Sequence, residues 1–324
     1  MSGSSAKRLH EVAKLGKLDE VREALKQEAV TSRDQWGETP LHWASSPAVA
    51  KALLDAMADV NSVDPTGDLP LHWASEHGQV EVMKVLLQNA ANVNARNQRG
   101  ETALHAAASS QSWSAVKLLI ENKADVLAAN VRGESALNFS VRSGDLNSAK
   151  ALIKAGSRVR DACADGTTVL HDATLHGPAQ LVKLLTQCKA DVNATTASGK
   201  SVLDFALRRK NQEILDELAE QGLDLNFLAK AAQARGEGWT PLHIAAEAGS
   251  YKLCQAAIKK GIKFQDPEAR NSQKQTAADV ARQSPFAKDS LVKYLEDEIQ
   301  VKRRSQGRNK KGEHRQDLEG SAPV

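Results

Sequence analysis

Aromatic residues are scarce in this chain of 324 residues: Phe, Trp and Tyr together make up 4%, although hydrophobic residues as a whole reach 41%. A core drawn mainly from Leu, Val, Ile and Ala suits small, closely packed helices better than a sandwich or a nucleotide-binding sheet. Cysteine is scarce as well. Cys163, Cys188 and Cys254 are odd in number, widely spaced and without a C-x-x-C pair. That argues against a disulfide framework or a zinc site and for a reducing compartment. Long apolar runs are missing: none approaches the roughly eighteen residues that span a bilayer, so no membrane insertion is expected. Met1 to Lys14 lacks the apolar stretch of a secretion signal. The expected location is the cytoplasm, the nucleus or both. A strong overall charge is missing too, since 43 basic residues face 40 acidic ones for a net +3. Residues 299–324 hold seven bases against three acids, a net +4, which leaves the preceding 298 residues at −1.

What the chain does have is repetition. Thr39-Pro40-Leu41-His42 returns as Leu69-Pro70-Leu71-His72 and Thr102-Ala103-Leu104-His105. Degenerate copies follow at Ser135-Ala136-Leu137-Asn138, Thr168-Val169-Leu170-His171 and Ser201-Val202-Leu203-Asp204, and the series closes with Thr240-Pro241-Leu242-His243 and Thr276-Ala277-Ala278-Asp279. The intervals are 30, 33, 33, 33, 33, 39 and 36 residues. Thr or Ser caps a helix by accepting a backbone N–H, and Pro fits the first helical position. A second helix follows, marked by pairs such as Leu86-Leu87 and Leu118-Leu119, then an Ala-Asp-Val-Asn segment or variant, then a turn with Gly two residues before the next cap (Gly37, Gly67, Gly100, Gly133, Gly166, Gly199, Gly238). One such helix pair cannot bury its own apolar face, so neighbours must stack.

These motifs closely resemble the ankyrin repeat, whose signature is T-P-L-H-x-A, and the resemblance runs from about Lys7 to Glu298. It implies an all-α solenoid of about nine helix-turn-helix units, two of them degenerate caps, starting near residues 7, 39, 69, 102, 135, 168, 201, 240 and 276. Residues 1–6 and the basic tail 299–324 are expected to be disordered. Three departures stand out. The unit at Thr39 lacks three residues, with Ser45-Ser46-Pro47 in place of the inter-helix loop; the stretch 224–239 is six residues long of standard and 265–275 three. Either insertion could form a projecting finger. Leu69 also stands where a cap belongs, a loss of about 1 kcal/mol.

Catalytic or metal chemistry is not expected. Equivalent histidines of neighbouring units sit on helices roughly 8–10 Å apart, too far to share an ion bound at about 2 Å; their expected role is to bond neighbouring turns. Gly199-Lys200-Ser201 resembles the end of a phosphate loop, but Ala194 stands where that loop needs Gly. Asp216-Glu217 falls on a helix face where solvated charge is the default. No enzyme, cofactor or metal is therefore anticipated.

The resemblance implies a protein-interaction scaffold or adaptor, a monomer whose partner contacts the turn tips and the first helices, which line a concave face. Carried over position by position, the turn tips are Gln35, Trp36 and Glu38; Thr66 and Asp68; Arg99 and Glu101; Arg132 and Glu134. On the first helices the candidates are Trp43, Trp73, Phe139 and Arg142. Trp is enriched at interface hot spots, while packing between repeats is the competing role for Trp43 and Trp73. Glu38, Asp68, Glu101 and Glu134 would form a negative stripe. In the tail, Lys302, Arg303 and Arg304 and then Arg308, Lys310 and Lys311 resemble a nuclear-import signal or a patch for nucleic acid or acidic lipid. A nuclear or nucleic-acid-associated regulator is accordingly the alternative function, and a solvated tail without a specific ligand is the competing account.

Overall fold

Hydrogen bonding within the signature tetrapeptide starts the helices. In the repeat at Thr102, the Thr102 N–H donates to His105 Nδ1 at 3.1 Å and the Thr102 hydroxyl lies 3.0 Å from the same nitrogen. Thr168 with His171 and Thr240 with His243 repeat this arrangement. Where the histidine is replaced, an amide or carboxylate does the same work: Ser135 N–H donates to Asn138 Oδ1 and Ser201 N–H to Asp204 Oδ2. Orphan backbone donors at a helix start are thus satisfied locally.

The computed structural model describes residues 6–259 and 266–319, with side chains at 8–259 and 266–304. Disorder expected at residues 1–5 lies outside the described residues, and Ala6 already begins a helix. The described backbone divides into two bodies, Met1–Asp191 with Thr195–Gly199, and Val192–Ala194 with Lys200–Val324. Among the described residues it is helical, with isolated bridges only, at Ala129 with Ser135 and Ala162 with Thr168. The all-α repeat solenoid expected from the sequence is what forms.

In the first body the helices are α1 (Ala6–Lys14), α2 (Leu18–Ala24), α3 (Pro47–Asp55), α4 (Pro70–Glu76), α5 (Val80–Gln88), α6 (Ala103–Ser109), α7 (Trp113–Glu121), α8 (Ala136–Ser143), α9 (Leu146–Lys154), α10 (Val169–Leu175) and α11 (Ala179–Gln187). They make two rows. First helices α4, α6, α8 and α10 pack in series, and second helices α3, α5, α7, α9 and α11 do likewise. Signature leucines Leu41, Leu71, Leu104, Leu137 and Leu170 are fully buried, as are Leu53, Leu86, Leu119 and Leu152 of the second row. Each such side chain contributes about 1.5–3 kcal/mol by leaving water.

The short repeat at Thr39 departs from its expected helix. Pro40 to Trp43 forms turns, with His42 N bonded to Thr39 O and Ala44 N to Leu41 O. Three missing residues leave no room for a full first helix, and Ser46 immediately caps α3, accepting from Val49 N with Pro47 at the first helical position.

Turn tips are joined by one backbone bond per step: Gln98 N to Thr66 O, Val131 N to Arg99 O, Ala164 N to Arg132 O and Ala197 N to Asp165 O, all within 2.8–3.0 Å. This close approach explains Gly166. Its φ is +79°, and a Cβ there would meet Ala197 N at 2.6 Å, so any side chain would be both strained and obstructed.

The second body contains α12 (Val202–Arg209), α13 (Gln212–Glu220), α14 (Asn226–Arg235), α15 (Pro241–Glu247), α16 (Tyr251–Lys259), α17 (Ala277–Gln283) and α18 (Asp289–Glu319). The insertion at 224–239 is not a projecting finger. It forms α14, which buries Leu228 and Ala232 and packs on both α12 and α15. Apolar residues at Leu225, Leu228 and Ala232 recur at helical spacing, and covering them outweighs leaving the segment in water. The described part of the second insertion, 266–275, is turn and coil beside α18.

The tail departs from expectation as well. Residues 299–319, expected to be disordered, continue α18 as helix to Glu319. Leu291 and Leu295 are buried and anchor its start, and farther along Lys302 pairs with Asp266, and Arg303 with Glu268 at 2.5 Å. Packing of Leu291 and Leu295 supplies the nucleus, and the residues beyond are free of proline, although Gly307 and Gly312 each disfavour helix by about 1 kcal/mol. Among the described residues no helix is long and apolar enough to cross a membrane.

Candidate functional site

The face made by turn tips and first helices in the first body is organised by residues at the turns. Asp34 Oδ1 accepts the N–H groups of Trp36 and Glu38, at 2.9 and 3.0 Å. Asp64, Asn97 and Asn130 do the same one repeat later each time, so a carboxylate or amide three residues before the turn Gly staples every tip in this series. None of these four residues was among those expected at the face. Their recurrence as Asp or Asn at positions 34, 64, 97 and 130 was the signal.

In the two tryptophan repeats the second carboxylate oxygen has a further task. Asp34 Oδ2 accepts Trp43 Nε1–H at 3.0 Å, and Asp64 Oδ2 accepts Trp73 Nε1–H at 3.2 Å. Both indoles are thereby clamped against their own turn. Trp36, Trp43 and Trp73 come together as a row, with ring centres 6.2 Å apart for the first pair and 5.2 Å for the second. His77 continues it, stacked on Trp73 at 6.0 Å. Trp36 is 59% exposed, and Trp43 and Trp73 are half-buried. The indoles touch across repeats, and part of each ring still faces solvent. Beside the row lies a cavity of about 370 Å³ between α1 and the Asp34–Trp36 turn, reaching Trp43.

The acidic positions do not make a free negative stripe. Glu38 is buried, and burial together with the neighbouring Asp34 and Asp64 carboxylates pushes its carboxyl up to about 7. Asp68 accepts from the Thr66 hydroxyl at 2.8 Å and from Asn97 Nδ2 at 2.8 Å. Arg99 pairs with Glu101 at 2.9 Å. Glu134 is held between Arg132 at 3.1 Å and Arg142 at 2.7 Å. Burial would raise the Glu134 pKa, but hydrogen bonds from Asn130 and Arg142 and the two guanidinium charges hold it below the ordinary value. Arg142 also lies over the Phe139 ring at 5.1 Å and within 3.5 Å of Asp172. Arg132, Glu134, Phe139 and Arg142 thus form one mixed-charge cluster, and Gln35, exposed at the first tip, stands apart from it.

The histidines of the signature bond neighbouring turns. Nε2 reaches the carbonyl of the residue before the next cap: His42 to Asp68, His72 to Glu101, His105 to Glu134 and His243 to Gln275, at 3.0–3.2 Å. His10 does the same to Glu38 at 3.0 Å, which brings the degenerate first repeat into the pattern. With Nδ1 accepting from the cap and Nε2 donating onward, the ring is neutral, and burial lowers the pKa of His42, His72, His105 and His243. Among the described residues no three His, Cys, Asp or Glu side chains are grouped so as to hold a metal ion. Of the basic tail candidates, Lys302 and Arg303 pair with acids as described and Arg304 is exposed, while the side chains of Arg308, Lys310 and Lys311 lie outside the described residues.

Comparison with known families agrees with this geometry. A family model described as ankyrin repeats (3 copies) matches residues 9–97, 90–161 and 137–229, and a second, described as ankyrin repeat, matches residues 237–266. No curated protein matches the chain.

Proposed function

Since the chain belongs to the ankyrin-repeat family, whose members are protein-interaction modules without catalytic activity of their own, we propose that it is a scaffold or adaptor that docks one partner protein on the first-helix and turn-tip face of its first body. The observation that carries this reading is the row Trp36, Trp43 and Trp73. Large indoles clamped by Asp34 and Asp64 and still partly open to water are pre-organised contact surface, with little side-chain freedom left to lose on binding. Thr66, Asp68, Arg99, Glu101, Arg132, Glu134, Phe139 and Arg142 continue the same face as a polar rim whose charges are already paired. Such a rim sets orientation and specificity more than affinity.

The test is capture with the full chain beside a Trp36→Ala/Trp43→Ala/Trp73→Ala variant, followed by hydrogen exchange on the purified complex. A partner retained by the wild type should protect residues 34–43 and 64–73 and lose at least about 30-fold in affinity with the variant. Since two of the rings are half-buried, thermal melting of the variant is measured alongside. Protection confined to the second-helix row, α3 to α9, would overturn the assignment of the face.

A further inference from the structure

The cavity beside the tryptophan row contains a feature that general docking leaves unexplained. Lys14, the last residue of α1, places its ammonium 4.2 Å from the centre of the Trp43 ring. This side chain is exposed and, among the described residues, takes part in no ion pair. An ammonium with open water on one side nonetheless rests on an indole face, where the ring quadrupole attracts it. One further wall is aromatic, since Trp36 lines the cavity and meets Trp43 at an interplanar angle of 49°, while Trp73 backs Trp43 from outside the lining.

Carboxyl groups outnumber cations around this box. Glu11 and Asp34 line the cavity with Lys14. Glu38 is buried nearby with Oε2 lacking a hydrogen-bond partner, and burial first, then the neighbouring Asp34 and Asp64 carboxylates, push its carboxyl up to about 7. Arg33 does not relieve it from within the cavity, because its guanidinium is bonded to the carbonyls of Gly37 and Val63 at 2.5 and 2.7 Å. Indole faces with an acidic surround attract a cation and do nothing for an anion.

Resting on the docking reading above, the geometry points to a defined occupant: the box formed by Trp36, Trp43, Asp34 and Glu11 receives a lysine-type alkylammonium side chain of the partner, and Lys14 is an internal stand-in that covers the Trp43 face until that cation displaces it. Lys14 sits at a helix end, just before Gly16 with its φ of +70°, so a change of side-chain rotamer clears the ring without disturbing α1. An internal competitor of this kind lowers the affinity for any external cation through its high local concentration. It also makes the box selective for partners that bring further contacts along the tryptophan row.

The experiment uses the full chain labelled with nitrogen-15 and follows the indole N–H signals of Trp36, Trp43 and Trp73. Three acetylated, amidated pentapeptides are titrated: Gly-Gly-Lys-Gly-Gly, its norleucine counterpart and its glutamate counterpart. The lysine peptide should shift the Trp36 and Trp43 signals and bind at least about fivefold more tightly than norleucine, which has the same four-carbon chain and no ammonium. Lys14→Met keeps an unbranched apolar chain of similar length, removes the ammonium, and should tighten lysine-peptide binding about three- to tenfold. Trp36→Ala, at an exposed position that the fold tolerates, should weaken it. Equal binding of the norleucine peptide would overturn the proposal in favour of a merely apolar cleft. Preference for the glutamate peptide, lost with Lys14→Met, would overturn it in favour of an anion site, and absence of any shift in both backgrounds would overturn it outright. None of these three results affects a partner that still protects the tryptophan row in hydrogen exchange, so failure of the box and failure of the docking face are separable.

Discussion

His105 uses both ring nitrogens for structure: one receives the Thr102 cap and the other reaches Glu134 O in the next repeat. Nature's replacement at the same position is Asn138, which keeps the cap bond through Oδ1 to Ser135. His105→Asn should therefore retain the start of α6 and lose the bond to the Glu134 carbonyl, costing about 1–2 kcal/mol in denaturant unfolding unless the shorter amide finds another partner in the next repeat, as Asn138 does. Retention of full stability would show that the inter-repeat bond contributes nothing that an amide cannot supply. Glu38 behaves differently. Its folded pKa of about 7 lies above its ordinary 4.5, so between those values the folded chain holds a proton that the unfolded chain has released. Its contribution to stability is present below pH 4.5 and is lost as the pH rises through 7. Glu38→Gln should raise the melting temperature at pH 8 and leave it nearly unchanged at pH 5. Equal shifts at the two pH values would dismiss the buried carboxyl as the cause.

Elements follow the repeat until chain length forbids or adds something. Loss of three residues turned the first helix at Thr39 into turns, yet Thr39, His42 and Leu41 keep their places because cap, inter-repeat bond and core contact need only that short segment. Six added residues produced α14. If α14 is an integral element, as its buried Leu228 and its packing on α12 and α15 indicate, Leu228→Ala should cost about 2–5 kcal/mol and speed hydrogen exchange in α15. A surface finger would tolerate the change.

Across the whole chain, pH dependence collects from the repeated histidines. His42, His72, His105 and His243 have pKa values lowered by burial, so the unfolded chain takes up protons below the ordinary 6.5 that the folded chain refuses. Stability from this source is present above pH 6.5 and is lost as the pH falls toward the folded values. Equilibrium denaturation should show a falling midpoint from pH 7 to pH 5, opposed in part by Glu38. A midpoint that is flat or rises on acidification would mean that the neutral imidazoles do not govern the acid limb.

Period, cap chemistry and turn glycines were legible in the residues themselves, and with them the family, the all-α solenoid and the place of the signature histidines. Each is a local requirement: a hydroxyl at a helix start, Gly at a positive φ, Leu at the inward position. These requirements recur because every repeat solves the same packing problem with its neighbours. What only the tertiary structure decided is where the irregular residues went. Position alone placed Glu38, Asp68, Glu101 and Glu134 in a row, but how free they are depends on burial, on Arg99 and Arg132 in their own turns, and on Asn97 and Arg142 brought up from another turn and a helix. Lys14 could not be connected to Trp43 from the sequence, because it lies 29 residues away in the degenerate first repeat. Local patterns dictate helices and their stacking; charge, exposure and clefts arise from side chains that meet only once the stack has formed.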